Sequence, residues 1–128
     1  MKITDAITRI DELKHNTFSK GEKIAWLSQL DGSIKKLIID THAGGEDIPF
    51  AGYTEDTEDN TELLAAAPFD DIYLYWLEAQ IDYYNGEFGK YNNSAARYNQ
   101  RYEALADHYN RTHKPLPLKT AFFKGGLV

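Results

Sequence analysis

From Phe88 to Tyr109 the chain repeats a heptad written largely in aromatics: Phe88, Tyr91, Ala95, Tyr98, Tyr102, Leu105 and Tyr109 recur at alternating intervals of three and four. That spacing places them on one face of a single long helix. By itself it is a candidate coiled-coil seam for a partner helix. A second helical pattern just upstream offers a cover within the same chain. Ile72, Tyr73, Tyr75, Trp76, Leu77, Ala79, Ile81, Tyr83 and Tyr84 leave little of that helix polar, the mark of a central helix buried on more than one side. Asn85-Gly86 between them is a turn signal, so the two helices are expected to form an antiparallel hairpin with the aromatic seam turned into the core.

A chain of 128 residues, 42% apolar and 27% charged, can bury one core without covalent staples, and with no Cys it has neither disulfide nor thiolate chemistry. No apolar run is long enough to span a bilayer, and no basic start precedes an apolar stretch, so a cytosolic protein without signal peptide or membrane contact is expected. The net charge of −6 argues against wrapping nucleic acid, because the fourteen Lys and Arg are scattered among twenty acids rather than clustered. Residues 43 to 62 carry Glu46, Asp47, Glu55, Asp56, Glu58, Asp59 and Glu62 without a basic residue, whereas residues 114 to 128 carry Lys114, Lys119 and Lys124 without an acid. The two stretches are expected to attract each other.

Two shorter helices precede the hairpin. The first is expected from about Thr4 to Lys14, with Thr4 as N-cap, Asp5 in the positive first turn, and Ile3, Ile7, Ile10 and Leu13 on one face. Ser19-Lys20-Gly21-Glu22 has the form of a capping box and opens the second, which carries Ile24, Leu27, Leu30, Ile34, Leu37 and Ile38 on its apolar stripe. Trp26 lies at the stripe's edge and Asp31, Lys35 and Lys36 outside it; a kink at Gly32-Ser33 and an end near Thr41, before Gly44-Gly45, are expected. From 43 to 68 the helical period vanishes, leaving a long acidic loop with Phe50, Tyr53, Leu63 and Leu64 as its anchors. Pro68-Phe69-Asp70-Asp71 reads as a helix start with Asp70 as cap, Asp71 on the dipole and Phe69 stapled to Leu74. The last helix is expected to close at Lys114-Pro115. The fold is therefore all-α: about four helices in residues 1 to 115, with an extended tail from 116 to 128.

Candidate chemistry is thin. His15, His42, His108 and His113 include no pair spaced to share a metal from one helix face, and no cofactor is expected. Asp40-Thr41-His42 resembles a carboxylate-imidazole pair, yet lacks a nucleophile beside it, and a helix C-terminus attracts His for its dipole alone. The alternating oxygens of Asp56, Glu58, Asn60 and Glu62 imitate a calcium loop, but Thr61 stands at the tight-turn Gly position and Ala67 at that of the bidentate Glu. A solvated acidic loop is the expectation. A Tyr-rich seam could also stack bases, but no basic groove is interleaved with it.

Several segments taken in order resemble a family: Ile-Ile-Asp-Thr-His at 38 to 42, the acidic Gly-Tyr loop, Thr-Glu-Leu-Leu running to Pro-Phe-Asp-Asp at 61 to 71, and Tyr-Trp-Leu-Glu-Ala-Gln-Ile-Asp-Tyr-Tyr-Asn-Gly-Glu at 75 to 87 leading into Tyr-Asn-Asn-Ser at 91 to 94. The pattern, covering most of residues 1 to 114, resembles small head-tail connector, or adaptor, proteins of tailed phages and prophages of Gram-positive bacteria. The resemblance implies a virion structural protein, not an enzyme, assembled in the host cytoplasm into a ring that docks on portal and tail proteins. DNA would pass through without specific binding. The expected contact residues are Glu55, Asp56, Glu58 and Asp59 of the loop and Lys119, Phe122, Phe123, Lys124 and Leu127 of the tail, which either reaches a neighbour or folds back on its own bundle. The acidic loop would face the ring lumen or a neighbour's tail, since carboxylates weaken adhesion to phosphates. The rival readings are a small cytosolic regulator or antitoxin-like module with one protein partner, and a hydrolase in which Asp40, His42 and loop carboxylates converge.

Overall fold

The computed structural model describes residues 1–117 and is all-helical there, as expected. α1 spans Ile3–Leu13, α2 Lys20–Ile34, α3 Ile72–Tyr84 and α4 Phe88–Thr112. α3 is the central element. Its Ile72, Tyr73, Leu77 and Ile81 are fully enclosed, against Ile3, Ile7 and Ile10 of α1 and Ile24, Leu27 and Leu30 of α2. α4 covers the remaining side as the antiparallel partner, through Tyr98, Tyr102, Leu105, Ala106 and Tyr109.

Local chemistry accounts for most helix ends. Ser19 Oγ accepts the Glu22 N–H at 3.1 Å and starts α2. The α3–α4 turn closes with Gly86 at φ +72°, the Gly86 N–H on Tyr83 O and the Glu87 N–H on Asp82 O, the left-handed helix stop that glycine permits. Two starts differ from expectation. α1 is capped at Lys2 rather than Thr4: the Asp5 carboxylate accepts the Lys2 N–H, and the loop carbonyls of Thr61 and Asp59 accept the N–H groups of Ile3 and Thr4. α3 is entered through a 3-10 turn, Phe69–Asp71, with no side-chain cap; Asp71 is drawn instead to Arg101 of α4 at 2.9 Å.

The second helix continues without a break through Gly32-Ser33. It widens into a π-helical turn, Lys35–Ile39, closed by the Asp40 N–H on Lys35 O at 2.8 Å. One extra residue in a turn advances the helical phase by about 100°. The apolar stripe is re-aimed accordingly: Ile38 and Ile39 are buried, whereas Leu37 is 60% exposed. Leu13 is likewise turned out of α1's buried face.

The hairpin is less uniformly buried than its sequence implies. Tyr83 and Tyr84 close α3 largely exposed, and Phe88 opens α4 at 60% exposure. The seam belongs to the core from Tyr98 onward, where burial, then the neighbouring Tyr102, push the Tyr98 hydroxyl up to about 12. Two polar ties, one buried and one partly buried, brace the interior: the Asp82 carboxylate receives the Ser94 hydroxyl of α4 at 2.9 Å and lies 2.5 Å from Lys14 Nζ, and Trp76 Nε1 donates to Trp26 O at 2.7 Å.

Two glycines test this packing in opposite directions. A Cβ on Gly45 would lie 2.6 Å from Ile39 O, backbone that cannot swing aside, so Gly45→Ala is expected to lower stability by about 1–3 kcal/mol in urea unfolding. Gly32, inside α2, has open space where a Cβ would go. Gly32→Ala should raise stability by about 0.5–1 kcal/mol in the same assay.

Candidate functional site

Among the described residues three features go beyond routine core packing: a buried carboxylate knot under the acidic loop, an exposed aromatic end of the hairpin, and an apolar pocket at the opposite end of α4. The knot centres on Asp31 of α2, which is fully buried and was expected to face water. Its Oδ2 accepts the Tyr53 hydroxyl at 2.5 Å and the Leu64 N–H at 3.0 Å, and its Oδ1 accepts the Tyr73 hydroxyl at 2.6 Å. The Tyr73 oxygen in turn accepts the Ala65 N–H at 2.7 Å. Two widely separated points of the loop are thus fastened to α2 and α3. Burial, the largest influence, raises the Asp31 carboxyl above the usual carboxylate range against the opposing pull of its three hydrogen bonds. Burial and the facing carboxylate likewise push both tyrosine hydroxyls up.

Held in this way, the segment from 54 to 62 crosses the N-terminal ends of α1 and α2. Asp59 and Thr61 carbonyls take unpaired N–H groups of α1, Asp59 pairs with Lys20 at 2.8 Å, and the Glu55 carboxylate rests against Gly21 in the first turn of α2. Negative charge at helix N-termini is favourable, so part of the cluster stabilises the fold. Asp56 and Glu58 are exposed. Of the nine candidate contact residues, the structure brings Glu55, Asp56, Glu58 and Asp59 together on this one loop. Lys119, Phe122, Phe123, Lys124 and Leu127 lie outside the described residues, and so does the expected attraction of Lys119 and Lys124 to the loop.

At the end of the hairpin, aromatic rings form a continuous cluster. Trp26 stacks on Tyr84 at 5.7 Å with Phe18 against both, and Tyr83 meets Tyr84, Phe88 and Tyr91 edge-on at 5.1 to 6.0 Å. Phe18 and Trp26 anchor the cluster to the core, while Tyr83, Tyr84 and Phe88 are 49, 57 and 60% exposed.

The pocket has a volume of about 160 Å³ between the π turn, residues 64 to 69 and the end of α4; Ile34, Ile38, Ala66, Leu105, Tyr109 and His113 form much of its wall. His113 stacks on Tyr109 at 3.8 Å, and His108 lies over Phe69 at 4.6 Å. The chain leaving α4 pairs beside it, with the Ala43 N–H on Lys114 O and the Leu116 N–H on Thr41 O. Asp40 and His42 do not join: Asp40 binds Lys35 at 2.6 Å, while buried His42 places Nδ1 2.5 Å from Ile38 O and Nε2 2.7 Å from Asn110 Oδ1. Among the described residues no group of three or more His, Asp or Glu is placed to hold a metal, and no helix is long and apolar enough to cross a membrane.

The Asp31 knot generates a pH prediction with a definite sign. A folded-state carboxyl raised above its ordinary value of 3.8 binds its proton more tightly in the native chain than in the unfolded one. Its contribution to stability is therefore complete below the ordinary range and declines as pH rises through the folded value. Asp31→Asn should remove that decline, visible as a difference between the two urea-midpoint profiles across this window. Parallel profiles would show that Asp31 does not titrate in this way. Asp31→Ala, which strands two hydroxyls and an N–H, should cost about 3–5 kcal/mol.

Compared with known proteins, the chain matches no family model, no curated protein and no solved structure.

Proposed function

We propose that this chain is a virion structural protein of the head-tail connector type, acting by self-association and by docking on portal and tail proteins rather than by catalysis. The carrying observation is the solvent-facing aromatic end of the hairpin, where Tyr83, Tyr84 and Phe88 stand about half exposed on a rigid two-helix support. Contiguous exposed aromatics mark contact surfaces, and aromatic side chains contribute heavily to interfaces. A helical end is also a precise platform, since both helices are locked below it by the Asp82–Ser94 and Trp76–Trp26 ties.

The acidic loop supplies the second part of the reading. Asp56 and Glu58 are held outward by a loop whose own position is fixed through Asp31. A rigid negative surface repels phosphate, which suits a channel that DNA must traverse without adhering. In this role the chain forms a ring in the bacterial host cytoplasm and persists in the virion.

Native mass spectrometry of the chain, alone and with the portal protein of the same gene cluster, is expected to show a closed oligomer. Wild-type protein that stays monomeric in both samples, or binds one unrelated protein as a one-to-one complex, overturns the reading. Tyr83→Glu combined with Phe88→Glu alters only exposed positions and should abolish the oligomer with helical circular dichroism unchanged. Neutralising Glu55, Asp56, Glu58 and Asp59 to their amides should alter assembly or DNA passage, and no change in either would remove the loop from the functional surface.

A further inference from the structure

The apolar pocket at the C-terminal end of α4 has no role in the reading above. Its volume of about 160 Å³ is close to the roughly 150 Å³ at which an apolar protein cavity admits a benzene ring. It is walled by aliphatic and aromatic side chains, with Ala65, Ala66 and Ala67 keeping one side shallow. Such a site takes an apolar, ring-sized group.

We propose that this pocket is the seat of the chain's own C-terminal segment, residues 118–128, with a ring of the Phe122-Phe123 pair as the inserted group. The course of the chain selects this occupant. Lys114 and Leu116 are hydrogen-bonded to Ala43 and Thr41, only a few residues beyond the pocket walls Ile38 and Ile39, and His113 is itself a wall. The chain therefore passes the pocket as it leaves α4. Phe122 follows Pro117 by five residues, which span up to about 17 Å when extended, enough to turn back from Pro117. Lys119 and Lys124 flank the pair on either side, so their ammonium groups can stay in water while a ring inserts. A tether this short holds the segment at an effective concentration of the order of millimolar, ahead of any free apolar ligand at lower concentration.

The inference stands independently of the connector reading, because it concerns the single chain. Under that reading, a neighbour's tail could occupy the same seat by exchange, and the test separates the two. In the full-length chain, nuclear Overhauser contacts are expected from the Phe122 or Phe123 ring protons to the methyl groups of Leu105 and Ile38, with intensity unchanged on tenfold dilution. Contacts seen only in an isotope-filtered mixture of labelled and unlabelled chains would assign the seat to a neighbour's tail and overturn the proposal. Absence of such contacts would overturn it as well. Phe122→Ala combined with Phe123→Ala should speed tryptic cleavage after Lys119 and Lys124 about tenfold, since a docked segment is cut only when it opens. Equal cleavage rates in the variant and the wild type would show that the rings hold nothing.

Discussion

The arrangement depends on one buried carboxylate. Among the described residues Asp31 forms no salt bridge; its carboxylate is met by two phenolic hydroxyls and a backbone N–H, each from a different part of the chain, with a weaker pull from the N-terminal ammonium. An unpaired ion costs several kcal/mol to bury, so such a residue persists only where hydrogen bonds answer it. Here the answering donors include Tyr53 and Leu64, which belong to a segment whose helical structure is a single 3-10 turn. The bonds that satisfy Asp31 therefore also fasten the loop. The same segment is held further by the buried side chains of Leu63 and Ala65, by the bonds of the Asp59 and Thr61 carbonyls to α1, and by the Asp59–Lys20 pair.

From that knot follows the electrostatic layout. The loop is acidic, and the places it reaches are the positive ends of α1 and α2. Asp59 therefore has two tasks, its carbonyl serving α1 and its carboxylate Lys20. Charge that looks excessive along the sequence is partly consumed by the helices beneath it. What remains outward is the charge of Asp56 and Glu58, both exposed. The hairpin follows a parallel logic at Asp82, where Lys14 and Ser94 join α1 and α4 to α3 through one enclosed side chain.

Features governed by neighbours in sequence were legible; those governed by distant partners were not. Ser19, Asn85-Gly86 and the hydrophobic period of α3 and α4 announce themselves within a few residues, and the helices formed there. The phase of the second helix past Ile34 was ambiguous, because Leu37, Ile38 and Ile39 are all apolar and a π turn is chosen by packing rather than by composition. Asp31 read as solvent-facing because its partners Tyr53 and Tyr73 lie 22 and 42 residues away. Tyr83, Tyr84 and Phe88 fit the helical pattern, yet no periodicity states which positions of a helix the rest of the chain covers. The pocket was invisible for a similar reason. Its alanines at 65 to 67 and the histidines at 108 and 113 carry no shared motif and meet only when the loop is fastened.

Magnitudes limit what the aromatic end can do alone. An aromatic side chain buries about 150–250 Å², so three that are about half exposed leave roughly 300 Å² per copy, or roughly 600 Å² for two such faces together, about half of the ~1,200 Å² at which stable interfaces begin. Association costs about 4–15 kcal/mol before any contact is counted. One such contact between two copies is therefore weak, and a pair held by it would dissociate on dilution. A closed ring changes the arithmetic, because every subunit makes two contacts and the last one forms without a further loss of translational freedom. For a small chain with one modest aromatic face and one rigid acidic loop, self-association becomes stable when it closes or when a larger partner templates it. On these magnitudes we propose an assembly component rather than an independent dimer.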